Sequence, residues 1–138
     1  MPDDLKSSPS STVQPRRTHR LRWLTVLLTP LALVALYLAI VLTWSYSTGE
    51  RAGYVQKFSQ KGWLCKTWEG ELAMVNLPGT MPEKFQFSVR SDSVASLIKS
   101  AIQTGKRTAL IYHQHKGVPT SCFGETEYWV SDVQIAGP

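Results

Sequence analysis

The sequence lacks the patterns that carry nucleotide, redox or hydrolytic chemistry. Its nine glycines never form Gly-x-Gly-x-x-Gly or a P-loop, so no dinucleotide or phosphate site is indicated. Its two cysteines, Cys65 and Cys122, do not form the Cys-x-x-Cys motif of a redox-active pair. No serine stands in a Gly-x-Ser-x-Gly turn, which argues against an esterase-like nucleophile. We therefore predict that the protein is not an enzyme and needs no cofactor.

Charge is absent from the stretch between Arg22 and Glu50, and this stretch is strongly apolar. Residues 23–44 would form a helix of about 33 Å, enough to cross a hydrocarbon core of about 30 Å. The tryptophans at its two ends fit the aromatic belts of a membrane. A cleaved signal peptide has a shorter apolar region and a small-x-small cleavage site, and a buried helix would need a larger protein around it. The pattern therefore predicts an uncleaved, single-pass transmembrane anchor.

The orientation of this anchor follows from the basic residues before it. The cations on the N-terminal side are Lys6, Arg16, Arg17, Arg20 and Arg22. Those after the span are thinly spread and are offset by Glu50. The positive-inside rule then predicts a cytoplasmic N-terminus and, in a bacterium, a periplasmic C-terminal part anchored in the inner membrane.

The net charge of +5 is concentrated near the predicted membrane. Residues 1–44 carry +3 and the remainder carries only +2. The basic cluster is therefore placed to meet anionic lipid headgroups. Because no basic stripe follows it, we predict that nucleic acid is not a partner. The expected partners are the lipid bilayer and another envelope protein.

Composition divides the chain into four segments. Residues 1–15 predict a disordered cytoplasmic tail, because they have few apolar side chains to bury. Residues 16–44 are the basic flank and the transmembrane helix. Residues 45–53 (SYSTGERAG) are expected to form a short polar linker. Residues 54–138 are expected to form one small β-rich domain in the periplasm.

Within this domain the apolar periodicity predicts five strands and one helix. Val94, Leu97 and Ile98 open a helical repeat that Ser91 or Asp92 can cap and Gly105 can end. The predicted strands are 54–58, 63–75, 84–89, 107–113 and 128–135. The order β-β-β-α-β-β is typical of an OB-like five-stranded barrel. An open α+β sheet packed on one helix has the same order and remains the alternative.

A domain this small buries little core and often needs a covalent staple. Cys65 and Cys122 both lie on the predicted outer side of the membrane, where a pair of cysteines usually bonds. A disulfide between them would contribute roughly 4 kcal/mol by constraining the unfolded chain. The alternative is two unpaired thiols.

Acidic residues and histidines lie near the ends of the last two predicted strands. His113 and His115 are two residues apart and share one strand face, as do Glu125 and Glu127. If these strands paired, the four side chains could converge on a divalent metal such as zinc. The favoured alternative is a polar sheet end that faces water.

The tryptophans and the charged residues between them suggest a contact surface instead. Trp63 and Trp68 fall on opposite faces of the predicted second strand, so one is expected in the core and the other on the surface. Exposed Trp and Tyr are frequent binding anchors. The candidate contact residues are Trp68, Glu69, Glu71, His113, His115 and Tyr128.

The strings SYSTGERAGYVQKFSQKGWLCKTWEGELAMV, EKFQFSV and CFGETEYWV resemble a bacterial family of short single-pass membrane proteins without an established function. The resemblance covers residues 45–133. Some members carry the label 6-phosphogluconate dehydrogenase. Such a dehydrogenase needs a dinucleotide-binding βαβ unit and a large helical domain, and this chain has neither the motif nor the length.

These observations together predict a membrane-anchored module of the bacterial cell envelope. The module is expected to be non-catalytic and to act as an interaction or accessory module of the envelope. The alternative is a small periplasmic domain that binds a metal or another ligand.

Overall fold

A computed structural model describes residues 17–74 and 78–135, with side chains from His19 onward. The chain divides into two compact units, residues 1–36 and 37–138. The tail predicted for residues 1–15 lies outside the described residues.

The first element is the apolar helix α1, Arg17–Thr43, with Pro30 inside it. It begins six residues before the predicted start at 23 and ends one residue before the predicted end. Residues His19–Thr43 are long and apolar enough to cross a membrane, and their most apolar window has no buried residue. A helix that is apolar on all sides and uncovered by protein has no soluble core to enter.

The remaining elements form a closed barrel capped by one helix. The order around the barrel is β1-β2-β3-β5-β4. The last strand pairs antiparallel with β4 and parallel with β3, and this second pairing closes the sheet. The OB-like fold predicted from the order of elements is therefore confirmed, and the open-sheet alternative is wrong. The elements are β1 Ser47–Lys61, β2 Thr67–Met74, β3 Lys84–Val89, α2 Asp92–Thr104, β4 Thr108–Gln114, a 3₁₀ turn Ser121–Phe123 and β5 Tyr128–Ile135.

Strand β1 is much longer than predicted and has two partners. Residues 47–53 pair with β4, and residues 53–61 pair with β2. The polar linker predicted for residues 45–53 is therefore wrong from Ser47 onward. Gly53 lies where the strand changes partners, and a Cβ there would collide with the backbone carbonyl of Ala73. Backbone pairing, rather than an apolar pattern, makes this segment a strand.

Strand β2 begins at Thr67, four residues after the predicted start. Gly62 has a φ of +119°, a conformation that favours glycine, and it ends β1. Residues 62–66 consequently form the β1–β2 loop, so Trp63 lies in a loop and not in a strand. Residues 115–127 form the β4–β5 loop.

The core lies inside the barrel and under α2. Phe85, Phe87 and Val89 point inward from β3, as their alternation predicts. Helix α2 ends at Gly105 in the left-handed conformation, with its N–H bonded to carbonyls of the last turn. The buried apolar residues are Leu72, Phe85, Phe87, Val89, Val94, Ala95, Ile98, Ala101, Leu110, Trp129, Val130 and Val133.

Candidate binding surface at the linked loops

A disulfide joins the two loops at one side of the barrel. Cys65 of the β1–β2 loop is bonded to Cys122 of the β4–β5 loop, and their Cα atoms are 4.9 Å apart. The predicted disulfide is confirmed. In OB folds these two loops flank the strand face that binds ligands. The covalent bond therefore fixes the separation of the loops beside that face.

The β4–β5 loop is also held to the sheet by a buried carboxylate. Glu69 is only 5% exposed. One carboxylate oxygen accepts hydrogen bonds from Thr67 Oγ1 at 2.7 Å and from the Glu125 backbone N–H at 3.0 Å, while the other accepts from Ser88 Oγ at 2.6 Å. A buried carboxylate needs such partners because burial removes its hydration. Glu69 thus acts as a latch between strand β2 and the loop.

Ser88 extends this latch along the loop. Its Oγ accepts a hydrogen bond from the Thr126 backbone N–H at 3.0 Å and lies 2.8 Å from the Thr126 hydroxyl. The Trp129 indole N–H donates to the Thr126 carbonyl at 3.1 Å. Gly124 has a φ of +147°, and a Cβ there would lie 2.9 Å from Ser88 Oγ and from Trp129 Nε1. The loop therefore packs so closely that this position requires glycine.

A shallow cavity of about 50 Å³ lies on the outer strand face beside the latch. Two of the lysines near it are paired, Lys61 with Glu125 at 3.1 Å and Lys84 with Glu71 at 3.9 Å. The cavity is far smaller than the 300 Å³ or more of typical ligand sites. Its lining mixes both signs of charge: Lys57, Lys61, Glu69, Gly70, Glu71, Gln86, Glu125 and Thr126. This face suits contact with a partner surface better than enclosure of a small molecule.

A larger cavity of about 390 Å³ lies between the two loops and the start of α2. The Arg90 guanidinium stands over the Trp129 ring at 4.8 Å and near the Phe123 ring at 5.8 Å. Its volume falls within the range of ligand sites. Its lining residues are Gln60, Lys66, Thr67, Trp68, Val89, Arg90, Asp92, Cys122 and Phe123.

The Trp68 ring at the wall of this cavity contacts three side chains. Phe58 stacks on it with ring centroids 5.3 Å apart, and Lys99 Nζ lies 3.9 Å from its centroid. Its indole N–H donates to Asp92 Oδ1 at 3.1 Å. These contacts fix the orientation of Trp68.

Of Trp63 and Trp68, the exposed residue is Trp63, at the tip of the β1–β2 loop. Its exposure is 101%, and that of the neighbouring Leu64 is 90%. The sequence pattern assigned both residues to one strand and predicted one of them on the surface, and Trp68 was selected as a contact residue. Gly62 is the signal that could have placed Trp63 in a loop.

The start of the β4–β5 loop contacts the end of α1. The Tyr37 hydroxyl donates to the Gly117 carbonyl at 2.8 Å. His115 is 7% exposed and its ring stacks on Trp129 at 4.1 Å. Its Nδ1 lies 3.1 Å from the Val41 carbonyl. A carbonyl can only accept, so Nδ1 carries the proton in this contact.

The four candidate metal ligands are not assembled into a site. Glu125 pairs with Lys61, and Glu127 accepts a hydrogen bond from Gln114 Nε2 at 3.1 Å. The ring of His115 is buried, stacks on Trp129 and contacts the Val41 carbonyl. Within residues 17–74 and 78–135, no group of three or more His, Cys, Asp or Glu is arranged to hold a metal ion. Three of the four side chains that the zinc hypothesis needed, those of His115, Glu125 and Glu127, are therefore bound to other groups.

The candidate contact residues are less accessible than the sequence suggested. Glu69 and His115 are buried. Tyr128 packs its ring against Phe85 at 5.0 Å. The half-buried members of the set are Trp68, Glu71, His113 and Tyr128. The accessible apolar contact surface of the two loops is instead the tip formed by Trp63 and Leu64.

Residues 44–137 match the family described as "Domain of unknown function (DUF8785)". The chain belongs to this family. The DUF8785 domain therefore covers the barrel and leaves most of α1 outside. A search of curated proteins gives no match.

The fold of the DUF8785 domain is similar to that of a mitochondrial single-stranded DNA-binding protein from S. cerevisiae. The TM-score is 0.50 at 7% sequence identity, covering 67% of this chain and 95% of the yeast protein. This likeness supports the OB-like fold. It also contradicts the prediction that nucleic acid is excluded as a partner. That prediction used the domain's low net charge and the lack of a basic stripe in the sequence, and neither detects that folding brings Lys66 and Arg90 to one cavity.

Proposed function

We propose that the protein is a membrane-anchored, non-catalytic binding module of the bacterial cell envelope. Helix α1 serves as a single-pass anchor in the inner membrane, with the N-terminus in the cytoplasm and the barrel in the periplasm. The observation that carries the proposal is the Cys65–Cys122 disulfide in a chain that also has an uncovered apolar helix. Structural disulfides persist in oxidising compartments, so the bond favours the periplasmic side.

The length of α1 supports this arrangement. The uncharged part of the helix, residues 23–43, extends for about 32 Å, which matches the hydrocarbon core. Residues 37–43 belong to the second unit and contact the β4–β5 loop through Tyr37 and Val41.

The rigid attachment of the β1–β2 and β4–β5 loops supports a binding role. The disulfide and the Glu69 latch fix both loops before any partner arrives, and such preorganisation lowers the entropic cost of binding. The latch also occupies Glu69 and Ser88, the buried carboxylate and hydroxyl nearest the face, in mutual hydrogen bonds. These groups position a loop and are not free to react. The expected partner is another envelope protein.

Thiol labelling in intact cells tests the location. A bulky maleimide that cannot cross the inner membrane should increase the protein's mass only after reduction. Labelling by a permeant maleimide alone, and without reductant, would place the domain in the cytoplasm and overturn the proposal. A Cys65→Ser/Cys122→Ser variant should stay unlabelled under every condition, which shows that the signal comes from these two thiols.

Photo-crosslinking in native membranes tests the partner. A photoreactive amino acid at Glu71, on the rim of the shallow cavity, should capture one protein reproducibly. A probe at Lys106, which lies outside both cavities, is the matched control. Equal capture from both positions would show that the strand face is only solvated.

A second candidate function is the binding of single-stranded nucleic acid. It is favoured by the fold likeness to a single-stranded DNA-binding protein and by Lys66 and Arg90 in the larger cavity. Fluorescence anisotropy with a labelled oligothymidine and the full chain in detergent tests it. The function predicts saturable binding that weakens with salt and with Arg90→Ala, but not with Arg107→Ala outside the cavity. Binding that is absent at low salt would exclude it.

A further inference from the structure

The tip of the β1–β2 loop exposes two large apolar side chains to solvent. Trp63 is 101% exposed and Leu64 is 90% exposed. Tryptophan is usually extensively buried, because its large ring gains much from leaving water. Nothing in the described part of the domain covers this tip, and the adjacent Cys65 holds it in place. An exposed apolar patch held in this way is a candidate site for contact with a membrane or a partner.

The loop that carries this pair is basic. Residues 61–66 read KGWLCK and contain no acidic residue. Lys61 is paired with Glu125 of the other loop, while Lys66 is exposed. Lysine is depleted in protein–protein interfaces. Tryptophan and lysine are instead the residues that collect at the boundary between a bilayer and water.

The tip is also tied to the anchored helix through a short path. Gly117 accepts the hydrogen bond from Tyr37 near the end of α1. From Gly117 to Cys122 the chain can span at most about 18 Å. The disulfide adds 4.9 Å between Cα atoms before the chain reaches Cys65. The tip is thus held within about 30 Å of Gly117, the residue that contacts Tyr37 of α1.

We propose that the β1–β2 loop makes a second membrane contact, in which Trp63 and Leu64 enter the lipid interface and Lys66 faces anionic headgroups. The inference rests on the proposed anchoring by α1, since only an anchored domain keeps the loop beside the bilayer. Two contacts, the helix and the loop, then limit rotation of the barrel about the helix. The strand face with the shallow cavity is held in one orientation to the membrane.

Photo-crosslinking of the full chain in lipid nanodiscs tests this contact. A photoreactive amino acid replaces Trp63, and the matched control carries it at Met81, which is 92% exposed in the β2–β3 connection. Position 63 should give several-fold more lipid adduct than position 81 in bilayers containing phosphatidylglycerol. The adduct at 63 should fall when phosphatidylglycerol is replaced by phosphatidylcholine, and also in a Lys66→Glu background. Lys106→Glu should leave it unchanged.

The outcomes separate this inference from the proposed function. Equal lipid adducts at 63 and 81 would overturn the loop contact. A protein adduct at 63 in native membranes, without lipid adduct, would also overturn it and make the tip a protein-binding site. Extraction of the chain from membranes by alkaline carbonate would overturn the anchor itself. Both probe variants must keep the mobility shift on reduction that reports an intact disulfide.

Discussion

Glu69 and Ser88 lie opposite each other on β2 and β3, and a hydrogen bond of 2.6 Å joins Ser88 Oγ to the Glu69 carboxylate. The pair occupies the outer face of the sheet, where side chains usually meet water. Both residues are buried because residues 125 and 126 of the β4–β5 loop fold over them. The loop thus converts part of a solvent-facing strand surface into a second, polar core.

Removing the latch should destabilise the barrel. Glu69→Ala leaves the Thr67 and Ser88 hydroxyls and the Glu125 N–H without their acceptor, and we expect a loss of about 2 kcal/mol in unfolding free energy. Urea denaturation of the full chain in detergent, followed by tryptophan fluorescence, measures it. Glu71→Ala is the matched control, because its carboxylate makes a long ion pair with Lys84, and such pairs contribute little to stability. Equal stability of the two variants would contradict the latch.

The disulfide should contribute a similar amount. Cys65→Ser/Cys122→Ser is expected to lower the unfolding free energy by about 2–4 kcal/mol, because the unfolded chain regains a long loop. Denaturation of the wild-type protein with and without reductant should give the same difference. The double variant should not respond to reductant. A response in the variant would show that the reductant acts on something other than this bond.

Gly124→Ala should separate backbone strain from steric collision. At Gly124 a Cβ would collide with Ser88 and Trp129, and φ is +147°. At Gly79 φ is +91°, yet no atom lies within 4 Å of an added Cβ. Gly79→Ala therefore reports strain alone, about 1–2 kcal/mol. We expect Gly124→Ala to lower the denaturation midpoint by clearly more, and equal midpoints would contradict the close packing of the loop.

Alanine substitution of a buried aromatic residue should reduce stability far more than substitution of an exposed one. Phe87 has no exposed surface, and Phe87→Ala should cost about 3–5 kcal/mol of unfolding free energy. Trp63→Ala should change it by less than about 0.5 kcal/mol, because the ring contacts water. Thermal unfolding monitored by circular dichroism compares them. A large loss at Trp63 would mean that the residue supports the fold rather than an outside contact.

The predictable parts of the fold are those with strong apolar patterns. Strands β3 and β5 and helix α2 begin and end where alternation, the Ser91 position and Gly105 indicate. The first half of β1 was missed because SYSTGERAG has no apolar alternation, and its strand character comes from pairing with β4. Pairing partners distant in sequence leave little local signal.

The site was harder to predict than the fold. The bond between Cys65 and Cys122 could be predicted, because the sequence has two cysteines and both lie on the predicted outer side of the membrane. The burial of Glu69 did not, because the groups that cover it lie at residues 125 and 126, far along the chain. Likewise Trp63 and Trp68 could not be sorted without knowing that β2 begins after the loop. Which side chain is accessible depends on contacts that no single segment encodes.

The double pairing of β1 sets an order for assembly during synthesis. Its second half meets β2 across the nearby β1–β2 loop, so this local hairpin can form as soon as residue 74 has emerged. Its first half, beside α1, must wait for β4, which ends at residue 114. The segment adjoining the apolar helix is thus the last part of β1 to find its partner, while the helix next to it is already complete. Nascent chains stopped before residue 108 should hold an open edge there, available to any factor that recognises an unpaired strand.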